Sequence, residues 1–161
     1  MRHIVSVTLE NEAGALSRVA GLFSARGFNI ESLTVAPTND ETLSKMTIVS
    51  VGDDNIIEQI VKQLNKLIDV VKVIDLTSYG HIERELMLLK LKVNKDNQAG
   101  IIQQIDEFSG KIVDVSGDIY TVELAGQGSN LDTFIELLGG SMIMEVSRTG
   151  VTGVLKGRTD N

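Results

Sequence analysis

The chain has 161 residues, of which 42% are hydrophobic and 23% charged, a balance typical of one globular domain or two small ones and not of a disordered protein. Its formal net charge at pH 7 is −7, and the absence of a dense run of Lys and Arg argues against a nucleic-acid partner. It contains no cysteine, which excludes disulfides, thiolate metal sites and a cysteine nucleophile and agrees with a reducing cytoplasm.

The start of the chain enters an alternating strand pattern at once and lacks the apolar core of a secretory signal. The longest apolar stretches are a few residues, far short of the roughly 20 that a membrane-spanning helix needs. We therefore expect a soluble, cytoplasmic protein with no membrane partner.

The first half of the chain has the pattern of four strands and two helices. The strands are predicted at 3–9, 29–36, 44–51 and 70–76. The first helix ends near Arg26, with Gly27 as its C-terminal cap, and either Asp53 or Asp54 caps the second. Their apolar faces are Leu16, Val19, Ala20 and Phe23 in the first, and Ile57, Ile60, Val61, Leu64 and Ile68 in the second.

The second half repeats this order after a linker at 77–80. It has strands at 86–93, 111–115, 119–124 and 142–146, and helices at 101–108 and 131–138. The entry to the first helix, Asn-Glu-Ala-Gly at 11–14, is echoed by Asn-Gln-Ala-Gly at 97–100. A common origin and a generic Asn-capped helix start both explain this echo.

The order βαββαβ, given twice, predicts an α+β protein of two ferredoxin-like units. Each unit is expected to have a four-stranded antiparallel sheet in the order 4-1-3-2 with both helices on one face. The predicted domains are 1–77 and 78–161, the second folded over 82–148. Residues 153–161 form a polar tail that we expect to be mobile.

Strand 29–36 lies at the edge of the first predicted sheet. Unpaired backbone groups at an edge favour association with another strand, and Pro37 ends the strand where further pairing would begin. We therefore predict a homodimer in which two copies of strand 29–36 join the sheets into one of eight strands.

The loop at 11–16, which joins the first strand to the first helix, is the candidate binding site. Gly14 allows close approach of a ligand, and the free amides of the first helical turn favour a carboxylate. Asn29 can hydrogen-bond the polar end of an amino-acid ligand. Leu16, Ile30 and Val35 can enclose the side chain of that ligand. Spacing alone is better explained by a helix cap at Asn11, a turn at Gly14 and a strand start at Asn29.

Two segments carry a resemblance to a known family. Leu9–Val19 and Arg26–Thr38 resemble the ACT domain of the regulatory subunits of acetohydroxyacid synthase, also called acetolactate synthase. Segments 43–48, 59–67 and 84–88 are similar to the same family, so the resemblance covers nearly the whole chain.

This resemblance implies that 1–77 is an ACT effector-binding domain for valine, with leucine or isoleucine as weaker effectors. The effector-binding residues would be Asn11, Ala13, Gly14, Ala15 and Leu16 of one chain and Asn29 and Ile30 of the other. It also implies ACT pairing in a dimer and a C-terminal domain that helps engage the catalytic large subunit. Thiamine diphosphate, a divalent metal and FAD would belong to that partner, and none of them to this chain.

Other polar residues do not form a catalytic set. His3 and His81 are predicted to lie on the surface, the charged run 81–85 to form a solvated strand edge, and Met142 and Met144 to fill a core or interface. The chain is therefore predicted to be a non-catalytic regulatory subunit. A free-standing tandem ACT sensor with another partner is the alternative, and a small enzyme is disfavoured because no nucleophile, base and orienting group can be named.

Overall fold

A computed structural model describes residues 1–157, in which nine strands and four α-helices follow one another along the chain. The chain divides into two compact units. Unit 1 is Met1–Glu83 together with the segment that begins at Val151, and unit 2 is Arg84–Gly150.

Unit 1 contains a four-stranded antiparallel sheet with two helices. Its elements are β1 (Arg2–Glu10), α1 (Ala15–Ala25), β2 (Ile30–Pro37), β3 (Leu43–Val51), α2 (Asp54–Asn65), β4 (Val70–Asp75), a 3₁₀ turn (Leu76–Ser78) and β9 (Thr152–Leu155). The strand order is β2-β3-β1-β4. This confirms the predicted order and places β2 at the edge.

Unit 2 repeats the plan with its own sheet. Its elements are β5 (His81–Lys92, which begins at the end of unit 1), α3 (Gln98–Glu107), β6 (Lys111–Ser116), β7 (Ile119–Gly126), α4 (Gly128–Leu138) and β8 (Ile143–Arg148). The strand order β6-β7-β5-β8 is again antiparallel. The α+β class and the two βαββαβ units predicted from the sequence are confirmed.

Each unit has its own core, formed where alternate strand residues meet the apolar stripes of its two helices. In unit 1, Asp53 caps α2 by accepting a 2.9 Å hydrogen bond from the Ile56 amide.

Two residues predicted on the apolar faces of the unit 1 helices are not buried there. Leu16 is 46% exposed and Ile68, which lies beyond the end of α2, is 90% exposed.

The opposite face of β1 carries a smaller cluster, which corrects the prediction for the polar tail. The cluster consists of Ile4, Val49, Leu76, Val151 and Leu155. Strand β9 pairs with β5, and the Lys156 amide donates a 2.9 Å hydrogen bond to the Gly80 carbonyl. The first part of the predicted tail is therefore a strand with a buried Leu155, because its apolar side chain completes this cluster. Residues 158–161 lie outside the described range.

Two polar residues predicted at the surface are buried. His3 is only 3% exposed, because it faces α2 beside the end of β4. Glu85, predicted in a solvated edge, is 9% exposed because Arg148 pairs with it across the β5–β8 ladder. Of the two methionines predicted to fill a core or interface, Met142 packs against the core of unit 2, and Met144 is exposed.

Candidate effector-binding site

The loop between β1 and α1 is held by backbone hydrogen bonds to the neighbouring loops. The Asn11 amide donates to the Thr42 carbonyl at 2.8 Å, and the Asn11 side-chain amide donates to the Glu41 carbonyl at 3.2 Å. The Glu10 amide donates to the Asp69 carbonyl at 2.8 Å. Asn11 therefore anchors the loop to the start of β3 and does not cap the helix.

Gly14 sets the geometry of the entry to α1. Its φ of 84° and ψ of −5° lie in the left-handed region, which glycine adopts without strain. Helix α1 begins at the next residue, and among the described residues no side chain caps it. The Ala15 amide donates to the Glu12 carbonyl at 3.2 Å, and the next amides of the first helical turn face outward with the positive end of the helix dipole, as an anion requires.

Arg18 and Asp69 brace this turn from the side, and sequence reasoning missed both roles. Arg18 Nε lies 2.5 Å from Asp69 Oδ2, and Arg18 Nη2 donates to the Ala13 carbonyl at 3.2 Å. The hydrogen bond to Asp69 raises the pKa of Arg18 above its ordinary value. A Cβ atom on Gly14 would lie 2.9 Å from Arg18 Nη1, so glycine leaves room for the guanidinium. Asp69 lies 51 residues from Arg18, and no local spacing signals such a pair.

The seven candidate residues fall into two groups at opposite ends of α1. Asn11, Ala13, Gly14, Ala15 and Leu16 surround its beginning, whereas Asn29 and Ile30 follow its end. An α-helix of 11 residues is about 16 Å long, so the second group lies about that far from the first within one chain. Asn29 is exposed and its carbonyl accepts a 2.6 Å hydrogen bond from Ser50, while Ile30 packs against the core.

Two family models match, and together they cover most of the chain. Residues 5–72 match the AHAS small subunit-like ACT domain, and residues 84–157 match the small subunit of acetolactate synthase. The acetolactate synthase isozyme 3 small subunits of Salmonella typhimurium and Escherichia coli are each 52% identical to this chain over 158 residues, covering 98% of it and 97% of the relative. The chain belongs to the acetolactate synthase small-subunit family.

A solved member of the small-subunit family has the same architecture. The crystal structure of the acetolactate synthase small subunit from Thermotoga maritima is 39% identical and aligns with a TM-score of 0.90 over 99% of both chains. The ACT domain of the family, matched at residues 5–72, lies within unit 1.

In unit 2, the start of α3 does not have the left-handed glycine that precedes α1 in unit 1. Asn97 precedes α3, and Gly100 is the third residue inside that helix. The Asn94 side chain accepts hydrogen bonds from the Asp96 and Asn97 amides at 2.8 and 2.9 Å. The echo between 11–14 and 97–100 is therefore one of sequence only, and the candidate site is confined to the ACT unit.

No group of three or more His, Asp or Glu side chains within residues 1–157 could hold a metal ion. No helix in the same range is long and apolar enough to span a membrane.

Proposed function

We propose that this chain is a non-catalytic, cytoplasmic regulatory subunit that activates the catalytic large subunit of acetolactate synthase and confers feedback inhibition by valine. The observation that carries this proposal is the left-handed Gly14 at the uncapped start of α1, in an ACT unit of this family. Thiamine diphosphate, a divalent metal and FAD are assigned to the large subunit.

The effector's carboxylate would bind the amides of the first turn of α1. A helix terminus stabilises an anion by about 0.3–1 kcal/mol when exposed and by up to about 2 kcal/mol when partly buried. The Arg18 guanidinium, paired with Asp69, lies beside the same turn and donates to the Ala13 carbonyl. The exposed Leu16 supplies apolar surface for the effector's branched side chain.

The other wall of the pocket would come from Asn29 and Ile30 of a second copy. Within one chain, Asn29 and Ile30 are about one helix length from the loop at 11–16. In a twofold dimer they could instead lie close to the 11–16 loop of the second copy. Strand β2 is one of the two edge strands of its sheet, and Leu33 and Val35, paired with Ile48 and Met46, lie on its helix-facing side. A second β2 in antiparallel pairing would cover these apolar side chains and provide hydrogen-bond partners for the backbone groups of the edge strand.

We expect Val35→Asp to weaken the dimer, because a carboxylate would replace an apolar side chain that the proposed pairing covers. Sedimentation velocity over a range of protein concentrations measures the effect as a dissociation constant raised at least about tenfold. Val113→Asp is the matched control, since Val113 is also exposed on an edge strand, β6 of unit 2. Equal dimer strength in Val35→Asp and the native chain would contradict pairing through β2.

We expect isothermal titration of the purified chain with L-valine to show saturable binding at up to one site per chain. D-valine and L-lysine are the controls. D-valine has the opposite chirality at its α-carbon, and L-lysine would place a charge where the pocket is apolar. Binding of L-valine alone would support the effector assignment. An absence of saturable binding at several temperatures and pH values would contradict it.

Transmission of the signal requires valine to bind one arrangement of the dimer better than another. A ligand shifts an equilibrium only by its differential affinity for the two states, typically about 1–3 kcal/mol. A pocket shared by two chains meets this requirement, because closing it changes how the two ACT sheets meet. The large subunit would read that change through the small-subunit dimer.

A further inference from the structure

A groove in unit 1, separate from the effector loop, has a buried histidine in its wall. The groove lies beside α2 at the start of β1 and the end of β4, with a volume of about 740 Å³, within the roughly 300–1,000 Å³ typical of small-molecule sites. His3 lines it and is 3% exposed. Its Nε2 atom has no hydrogen-bond partner among the described residues, and such buried polar atoms are rare enough to need an explanation.

Thr77 offers an acceptor to the other nitrogen of His3, Nδ1. The Thr77 hydroxyl donates its hydrogen to the Asp75 carboxylate, so its oxygen is left to accept. His3 Nδ1 lies 3.4 Å from Thr77 Oγ1, and the tautomer that pairs these two atoms has Nδ1 as the donor. In a neutral imidazole the other nitrogen is then an acceptor, so Nε2 has a free lone pair.

A second acceptor lies opposite this lone pair. Asp54 Oδ1 is 3.7 Å from His3 Nε2, which is too long for a hydrogen bond. With Nε2 unprotonated these two acceptors have no proton between them, and a donor bound beside them would satisfy both. The Asp54 side chain is 90% exposed, so a ligand can reach it from solvent.

We propose that this groove binds the ammonium group of a primary aliphatic amine. An ammonium carries three N–H donors, one for His3 Nε2 and one for Asp54 Oδ1. Ile57 and Val61 line the same groove and offer apolar contact to an alkyl chain. The charged side chains that line it are Asp54, Glu58, Asp75 and Lys62. This excess of carboxylates disfavours a ligand with its own carboxylate, which distinguishes the site from that of the amino-acid effector.

The test is a titration with n-butylammonium chloride followed through the imidazole ¹⁵N resonances of the full-length chain. The chain has only two histidines, and His81, whose Nε2 contacts Glu83 at 2.9 Å, serves as an internal reference. We expect a saturable shift of His3 Nε2 with a millimolar dissociation constant. Butyltrimethylammonium, which has the same charge and chain but no N–H donor, is expected to leave that resonance unmoved.

Asp54→Asn is the diagnostic variant, because it removes the charge and leaves the helix cap to Asp53. We expect it to weaken butylammonium binding at least about tenfold, while Asp106→Asn on α3 of unit 2 leaves it unchanged. Equal shifts with both salts, or no saturable shift with either, would overturn the proposal. So would ¹⁵N shifts showing both nitrogens of His3 protonated in the free protein at neutral pH, since Nε2 would then be a donor to Asp54.

Discussion

Gly14→Asp is expected to abolish valine inhibition and leave activation of the catalytic subunit intact. The added carboxylate would lie where the effector's carboxylate is proposed to bind, and two like charges about 4 Å apart repel by about 4 kcal/mol near a protein surface. Assays of the reconstituted enzyme should show the half-inhibiting valine concentration raised at least about 100-fold. Activity without valine should match that of the native pair.

The fold should survive this substitution, which makes the experiment informative. Aspartate visits the left-handed region more readily than most residues, at a cost of about 1 kcal/mol. The new Cβ would lie 2.9 Å from Arg18 Nη1, which is not the atom that bonds Asp69 or Ala13, so a small shift of the guanidinium relieves the contact.

Gly117→Asp is the matched control for backbone strain and for added charge. Gly117 has a φ of 64° in the β6–β7 turn of unit 2, with open space around its Cα. This variant should keep a normal valine response. Normal valine inhibition in Gly14→Asp, or its equal loss in Gly117→Asp, would refute the proposed position of the effector.

The fold was predictable because its signals are local. Alternation gave the strands of both sheets, and Asp53 and Gly27 marked helix ends by rules that depend on a few neighbouring residues. Strand β9 was missed because Gly153 occupies an inward position between Val151 and Leu155 and breaks the apolar alternation. A Cβ there would lie 2.8 Å from Leu76 Cδ1, so close packing requires the residue that hides the pattern.

The candidate site was only partly predictable for the opposite reason, since its supports are distant in sequence. The loop residues around Gly14 follow from motif and helix geometry. The bracing of that loop by Asp69, and the burial of His3 beside Asp75, depend on contacts formed only when the sheet assembles. Likewise Glu85 reads as part of a solvated charged run until Arg148 is placed opposite it.

Arg148→Met is expected to destabilise unit 2 by about 3 kcal/mol, because it would leave a buried carboxylate without its partner. Arg148 donates from Nε to Glu85 Oε1 at 2.9 Å and from Nη2 to Oε2 at 3.1 Å. Its Nη1 donates to Asp132 at 2.6 Å. The hydrogen bond to Glu85 raises the pKa of Arg148, so the guanidinium remains charged at any ordinary pH.

Native-state hydrogen exchange of the core amides of unit 2 is the appropriate measurement, because a chain of two units need not unfold in one step. Lys92→Met is the control, since the Lys92–Asp118 pair is more than half exposed on both sides and should contribute less than about 1 kcal/mol. Replacing both partners, as Glu85→Leu with Arg148→Met, should recover part of the loss, because no buried charge is then left unpaired. If the double variant were less stable than Arg148→Met alone, the penalty would come from lost packing of the arginine and not from an unpaired Glu85.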